Sequence, residues 1–321
     1  MKMIHSYTLS CSPNLVGGTL MRQRTHYATK GPCAIKSSIL LQKDEDGKLT
    51  ASSDSFPPST GNAAAASLSV LGHSNAVGII GGVSAASTLS FLQKLVDWSS
   101  REGRESLPFI VCNDPTLNRE LSSCERNLGK SCFLPEYDVV LENLLQKRKF
   151  LERSGARCII TPFHISNLWY EKISEGCTVP LFHVGECMAS ELKEADLKPI
   201  EAGSNCKIGI LATEATLKAE IYQEKLQNQG FEVVLPDKAT MEHTVLPAME
   251  ALNRKDTEGA RTLLRIALQF LLLRAVSTVI LASEDLQKVL PHGDPLLKKC
   301  VYPMDALARA TIKWAYSREH S

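Results

Sequence analysis

Asn75-Ala76-Val77-Gly78-Ile79-Ile80-Gly81-Gly82-Val83-Ser84, running on into Ala85-Ala86-Ser87-Thr88-Leu89, is the stretch on which the reading of the fold turns. A short apolar run ends in paired glycines, then small polar residues, then residues at helical spacing. That is the pattern of a buried strand turning into a helix whose first N–H groups face an open crevice. Such a turn suits an anion, because the unpaired N–H groups and the helix dipole both favour negative charge. Gly82 lets the backbone come close, and Ser84 or Ser87 can cap the helix. The spacing matches neither the dinucleotide fingerprint nor a P-loop, which needs a Lys followed by Ser or Thr.

The phrase recurs. Lys207-Ile208-Gly209-Ile210-Leu211-Ala212-Thr213-Glu214-Ala215-Thr216-Leu217 repeats the strand, early glycine, small-residue turn and Thr-Leu helix start, with Gly78 and Gly209 lying 131 positions apart. A second pair sets Gly155 to Phe163 beside Ala275 to Ser283, offset by 120. A third sets Leu181 to Glu186 beside Cys300 to Asp305. Three pairs in one order predict an internal duplication. The expected fold is α/β: two similar halves with parallel sheets, related by a pseudo-twofold axis, whose strand ends open on one cleft.

Composition narrows the function classes. The chain has 321 residues and a net charge of +1, with no Lys/Arg cluster, which argues against nucleic acid as a partner. No apolar stretch reaches the ~20 residues needed to span a bilayer. Ten cysteines show no CxxC spacing, so neither a zinc site nor any other metal site is expected. Met1 to Lys43 contains no Asp or Glu, is rich in Ser and Thr, and carries scattered Lys and Arg. An acid-poor, basic, Ser-rich leader describes an organelle transit peptide, with plastid stroma expected and mitochondrion as second choice. The domain reading is a transit peptide and flexible linker over 1–73, a first α/β domain over 74–178 plus 302–318, and a second over 179–301.

In open α/β sheets ligands bind beyond the carboxyl ends of the strands. The candidates there are Gly82, Ser84, Asn113, Arg119, Phe163, His164, Thr213, Thr216 and Ser283. Asn113 to Arg119 reads as a polar loop after the strand Pro108–Cys112, and Arg119 could clamp a carboxylate with both guanidinium arms. His164 is the one of these groups that titrates near neutral pH.

The glycine turn Val77–Ser84, Asn113-Asp114-Pro115 with Arg119, Leu211-Ala212-Thr213 with Thr216, and Tyr222-Gln223 together resemble the aspartate/glutamate racemase family, in a plant-type, organelle-targeted form. The resemblance runs from about Ser74 to Tyr316. It implies two flavodoxin-like domains, cofactor-independent racemisation of an acidic amino acid (aspartate or glutamate), a dicarboxylic small molecule as partner, and a homodimer. It also implies a cysteine after the fourth strand of each half, one for each face of the substrate Cα, activated as thiolate. Here the matching positions hold Phe163 and Ser283, and His164 stands where an asparagine normally follows the first cysteine. Phenylalanine carries no proton, and serine is a weak base without an activating neighbour. Three readings follow: a racemase with altered acid/base groups, His164 on one face and Ser283 on the other, helped by Glu284 or Asp285; a catalytically inactive homologue that binds an acidic metabolite or regulates an active partner; and a hydrolase using Ser283, which the absence of a GxSxG elbow disfavours.

Overall fold

A computed structural model of the chain describes residues 42–43, 49–50, 72–101, 105–127, 136–198, 200, 203 and 205–319. By its contacts the chain divides into Met1–Ala63 and Ala64–Ser321. In the first part, β1 (Gln42–Lys43) and β2 (Leu49–Thr50) pair antiparallel. The rest of the leader and linker expected over 1–73, save residues 72–73, lies outside the described residues.

The second part carries two parallel sheets. In one, β3 (Val77–Ile80) lies between β4 (Phe109–Cys112) and β5 (Cys158–Ile160), and a parallel bridge from Ile159 to Leu181 adds a fourth position. In the other, β6 (Lys207–Ala212) lies between β7 (Glu232–Val234) and β8 (Thr278–Ala282), with β9 (Cys300–Val301) beside β8. Numbering the strands within each half, both sheets run 2-1-3-4.

The sequence repeats fall in register. A Cβ on Gly78 would meet Ala156 Cβ at 2.8 Å and Ile159 Cγ1 at 3.3 Å; one on Gly209 would meet Val276 Cγ1 at 3.1 Å and Val279 Cγ2 at 3.3 Å. Ala156 and Val276, like Ile159 and Val279, stand 120 apart in sequence. Each central strand therefore carries glycine where the next strand's lead-in presses against it. Leu181 bridges Ile159 just as Cys300 pairs with Val279.

The helices cover the sheets: α1 (Ala85–Ser99), α2 (Pro115–Asn127), α3 (Glu136–Arg153), α4 (Tyr170–Ser174) after a 3₁₀ turn at Ile165–Trp169, and α5 (Val184–Glu194). The second half has α6 (Glu214–Lys218), α7 (Gln223–Gln227), α8 (Lys238–Thr240), a π turn at Met241–Val245, α9 (Leu246–Asn253), α10 (Thr257–Leu272), α11 (Glu284–Gln287) and α12 (Pro303–Glu319). Crossing of the last helices ties the halves together. α5 leaves the first sheet to pack on α7, α12 leaves the second to pack on α1, and α5 and α12 pack on each other. This reciprocal exchange is what a pseudo-twofold axis requires. One apolar core accordingly runs through both halves, joining Ile79, Leu117, Ile159 and Trp169 to Ile208, Ile210 and Tyr222, while a second lies under α9 and α10.

One local expectation changes. Asn113 to Arg119 is not a loop: Asp114 Oδ1 accepts from the Thr116 N–H at 2.8 Å, and α2 begins at Pro115. A proline costs nothing in a first helical turn, where its missing N–H would have no partner. In the second half, α6 and α7 are separate helices, parted where Glu220 takes a φ of 51°. The first sheet's fourth position is only the Leu181 bridge, because His183 caps α5 by accepting from the Gly185 N–H at 3.0 Å.

Candidate functional site

Ser84 ends the first glycine turn with an extended backbone (φ −150°, ψ 155°), and its side chain accepts from the Ser87 N–H at 3.0 Å. Thr88 braces the turn from within: its hydroxyl accepts from the Gly82 N–H at 3.2 Å and stands 3.0 Å from Asn113 Oδ1. The equivalent turn of the second half is capped by Thr213, whose hydroxyl accepts from the Thr216 N–H at 3.2 Å. Between these turns opens a cleft of about 520 Å³. Its wall includes Ser84 after β3, Phe163 and His164 after β5, Thr213 after β6 and Ser283 after β8. Phe163 and Ser283 thus share one cleft, each after the third strand of its half rather than the fourth.

The remaining candidates fall elsewhere. Gly82 and Thr216 are buried behind the wall; a Cβ on Gly82 would sit 3.1 Å from Phe163 Cβ. Asn113 is exposed at the end of β4 and does not line the cleft. Arg119 is exposed on α2 and does not line it either, so the carboxylate clamp expected of it is not met. The arginine of the wall is Arg126, at the far end of the same helix. Sequence reading missed it, together with Glu125, because the start of the helix that carries them, Asn113 to Arg119, had been read as a loop.

His164 is 4% exposed, and its Nδ1 lies 2.5 Å from the Tyr222 hydroxyl, while Nε2 has no hydrogen-bond partner. Burial pushes its imidazole down to about 4, and burial likewise lifts the Tyr222 phenol well above its usual range. At neutral pH both groups are uncharged. Ser283 is 6% exposed and caps no backbone N–H. Two carboxyls are shifted as well. Burial raises Glu125, and the charges of Asp285 and Glu284 add to it, against a hydrogen bond from Thr213 at 3.3 Å. Burial also raises Glu284, with Asp285 adding and Lys288 and Lys94 opposing. Carboxyls shifted by burial in a cleft are candidates for proton transfer.

The buried imidazole carries a pH signature. An unfolded chain protonates this histidine near 6.5, whereas the folded one resists until about 4. The unfolded state therefore binds the extra proton in that window, and stability falls as pH drops from 6.5 toward 4, by on the order of 1.4 kcal/mol per pH unit. Urea unfolding across this range should show a shallower decline in His164→Gln than in the unaltered chain. Identical slopes would mean that the imidazole reaches solvent.

Equivalent residues drawn from the strand ends of two repeated halves define a duplicated α/β protein, two flavodoxin-like domains with the site shared between them. The chain belongs to the Asp/Glu/Hydantoin racemase family, whose sequence model matches residues 80–311. Among solved structures, it is similar to Picrophilus torridus aspartate racemase (20% identity, TM-score 0.57, covering 75% of this chain and 94% of that one). It is also similar to an aspartate racemase homologue from Pyrococcus horikoshii (21% identity, TM-score 0.59, covering 75% of this chain and 99% of that one). Among curated sequences, a broad specificity amino-acid racemase of Bacillus subtilis is 24% identical over 162 residues. That match covers 50% of this chain and 64% of the Bacillus protein, less than two thirds of its length.

Proposed function

We propose that this chain is a racemase-type isomerase of amino acids, with altered acid/base residues. The observation that carries the reading is the meeting of Phe163-His164 and Ser283, from equivalent strand ends of the two halves, in one cleft. Inverting a chiral Cα takes a base on one face and an acid on the other, and two repeated halves supply one group each. His164, neutral and oriented by Tyr222, serves one side. Ser283, beside Glu284 and in the same cleft as Glu125, serves the other, with a carboxyl as the proton reservoir that a serine lacks. Arg126 and Ser84, the cap residue of α1, receive the α-carboxylate, stabilising the carbanion-like transition state. An acidic side chain on the substrate is carried by the relatives' names and by no feature of the cleft wall. A second reading, a homologue that binds without turnover, is favoured by Phe163, which has no proton to give.

The full chain incubated with an amino acid in deuterated water decides between them. Deuterium appearing at Cα, and falling by about 10²-fold or more in His164→Asn and in Ser283→Ala, supports the isomerase. Binding with no exchange at Cα leaves the second reading.

A further inference from the structure

We propose that the cleft selects an amino acid with a positively charged side chain, an ammonium or guanidinium, in place of a dicarboxylic one. This rests on the reading of the cleft as an amino-acid site. The two halves repeat in fold but not in charge. In the first half, α1 has no acidic residue in its opening turn, so its N-terminal end, capped by Ser84 on the Ser87 N–H, favours an anion. In the second, the opening turn of α6 carries Glu214, and that of α11 carries Glu284 and Asp285. Glu125 adds to them, reaching from α2 to the hydroxyl of Thr213.

Some of this charge is already answered. Glu214 is paired with Lys218 at 2.7 Å; Lys288 and Lys94 act on Glu284, Lys94 being bonded also to Asp305 at 2.6 Å. Among the described residues of the cleft wall, Arg126 alone is basic, against Glu125, Glu214, Glu284 and Asp285. A ligand with two carboxylates would place the first well and drive the second into these carboxyls, where like charges in a poorly hydrated site repel strongly. A ligand with one carboxylate and one cation fits both ends.

Two further groups mark this wall as one that meets a ligand. His164, nine-tenths buried and more, lines the cleft with Nε2 lacking a partner, and Ser283, equally buried, lines it with a hydroxyl not spent on capping α11. Buried polar groups are ordinarily satisfied. The carboxyls, for their part, form no cluster able to hold a metal ion among the described residues. An organic cation is the occupant that suits them.

Calorimetry on the full chain with L-lysine, L-arginine, L-glutamine, L-glutamate and L-aspartate tests the proposal. L-lysine or L-arginine should bind about ten-fold or more tighter than L-glutamine, and tighter still than L-glutamate. Glu125→Gln with Glu284→Gln should erase the preference, and Asp285→Asn should weaken it by itself. Tighter binding of L-glutamate or L-aspartate, or equal affinity for all five, would overturn the proposal. The same ligands, followed by Cα deuterium, keep the two readings apart. L-lysine bound without exchange defeats the isomerase and leaves the selectivity, L-glutamate exchanged in preference defeats the selectivity and leaves the isomerase, and binding of none defeats both.

Discussion

Phe163→Cys combined with Ser283→Cys is expected to raise Cα hydrogen exchange by about 10²- to 10⁴-fold over the unaltered chain. A phenyl ring cannot move a proton, and a serine hydroxyl does so only when a neighbour takes its proton first. A thiol at each of these positions supplies both acid and base with an ordinary side chain. The positions share the cleft already, so no backbone need move. The neighbouring carboxyls shape the pH dependence. Negative charge from Glu284, Asp285 and Glu125 disfavours a thiolate, so exchange in the double variant should still be rising at pH 9. Either single variant should gain far less than the pair, because one face without its group stops the cycle. Removal of the phenyl ring of Phe163, 5% exposed, has a stability cost of about 3–5 kcal/mol at most, readable in the same sample by thermal unfolding. A folded double variant with unchanged exchange would place the reaction away from these two positions.

Replacing Arg148 by methionine should destabilise the chain by about 3–5 kcal/mol. This arginine is 5% exposed on α3. Its Nη1 donates to the carbonyl of Ile173 at 3.1 Å and of Glu175 at 2.7 Å, closing the end of α4, and its Nε lies 3.5 Å from Glu152 Oε2. Methionine fills much of the same volume, so the loss is of charge and hydrogen bonds, not of packing. Two carbonyls lose their donor and a half-buried carboxylate loses its cation. The Glu152 carboxylate keeps hydrogen bonds from the N–H and hydroxyl of Thr178, at 2.6 and 2.8 Å, which holds the loss within that range. Arg148→Lys should recover only part, since one ammonium nitrogen cannot serve both the carbonyls that Nη1 reaches and the Glu152 carboxylate that Nε faces. Urea unfolding gives the number, and a change under about 0.5 kcal/mol, the scale of a surface substitution, would contradict the assignment.

How far the site was legible depends on the reach of each signal. The glycine turns at Gly78–Ser84 and Gly209–Thr213 were readable because strand, turn and cap are all within one short window. Pro115 misled for the opposite reason. The polar run Asn113 to Arg119 reads as a loop, when Pro115 after Asp114 opens α2 and carries Arg119 to an exposed face. The same helix, continued two turns, delivers Glu125 and Arg126 to the cleft. An N-terminal signal was present in Asn113-Asp114-Pro115, an acceptor side chain followed by a proline at the first helical position, and could have found them. His164 was placed correctly on the wall but not in character. Its neutrality comes from burial against Tyr222, 58 residues away.

The alternation of strands and helices, the doubling at offsets of 131 and 120, and the presence of Phe163 and Ser283 at matching positions of the repeat were decided by the amino-acid sequence alone. Each is a matter of residue type and local spacing, which tertiary structure can only ratify. The charge of the cleft was decided by docking. Glu125 and Glu284 lie 159 positions apart, and they face one cavity because α5 and α12 cross between the halves. No periodicity along the chain records which side chains a folded cleft brings together, since that depends on how two finished surfaces meet.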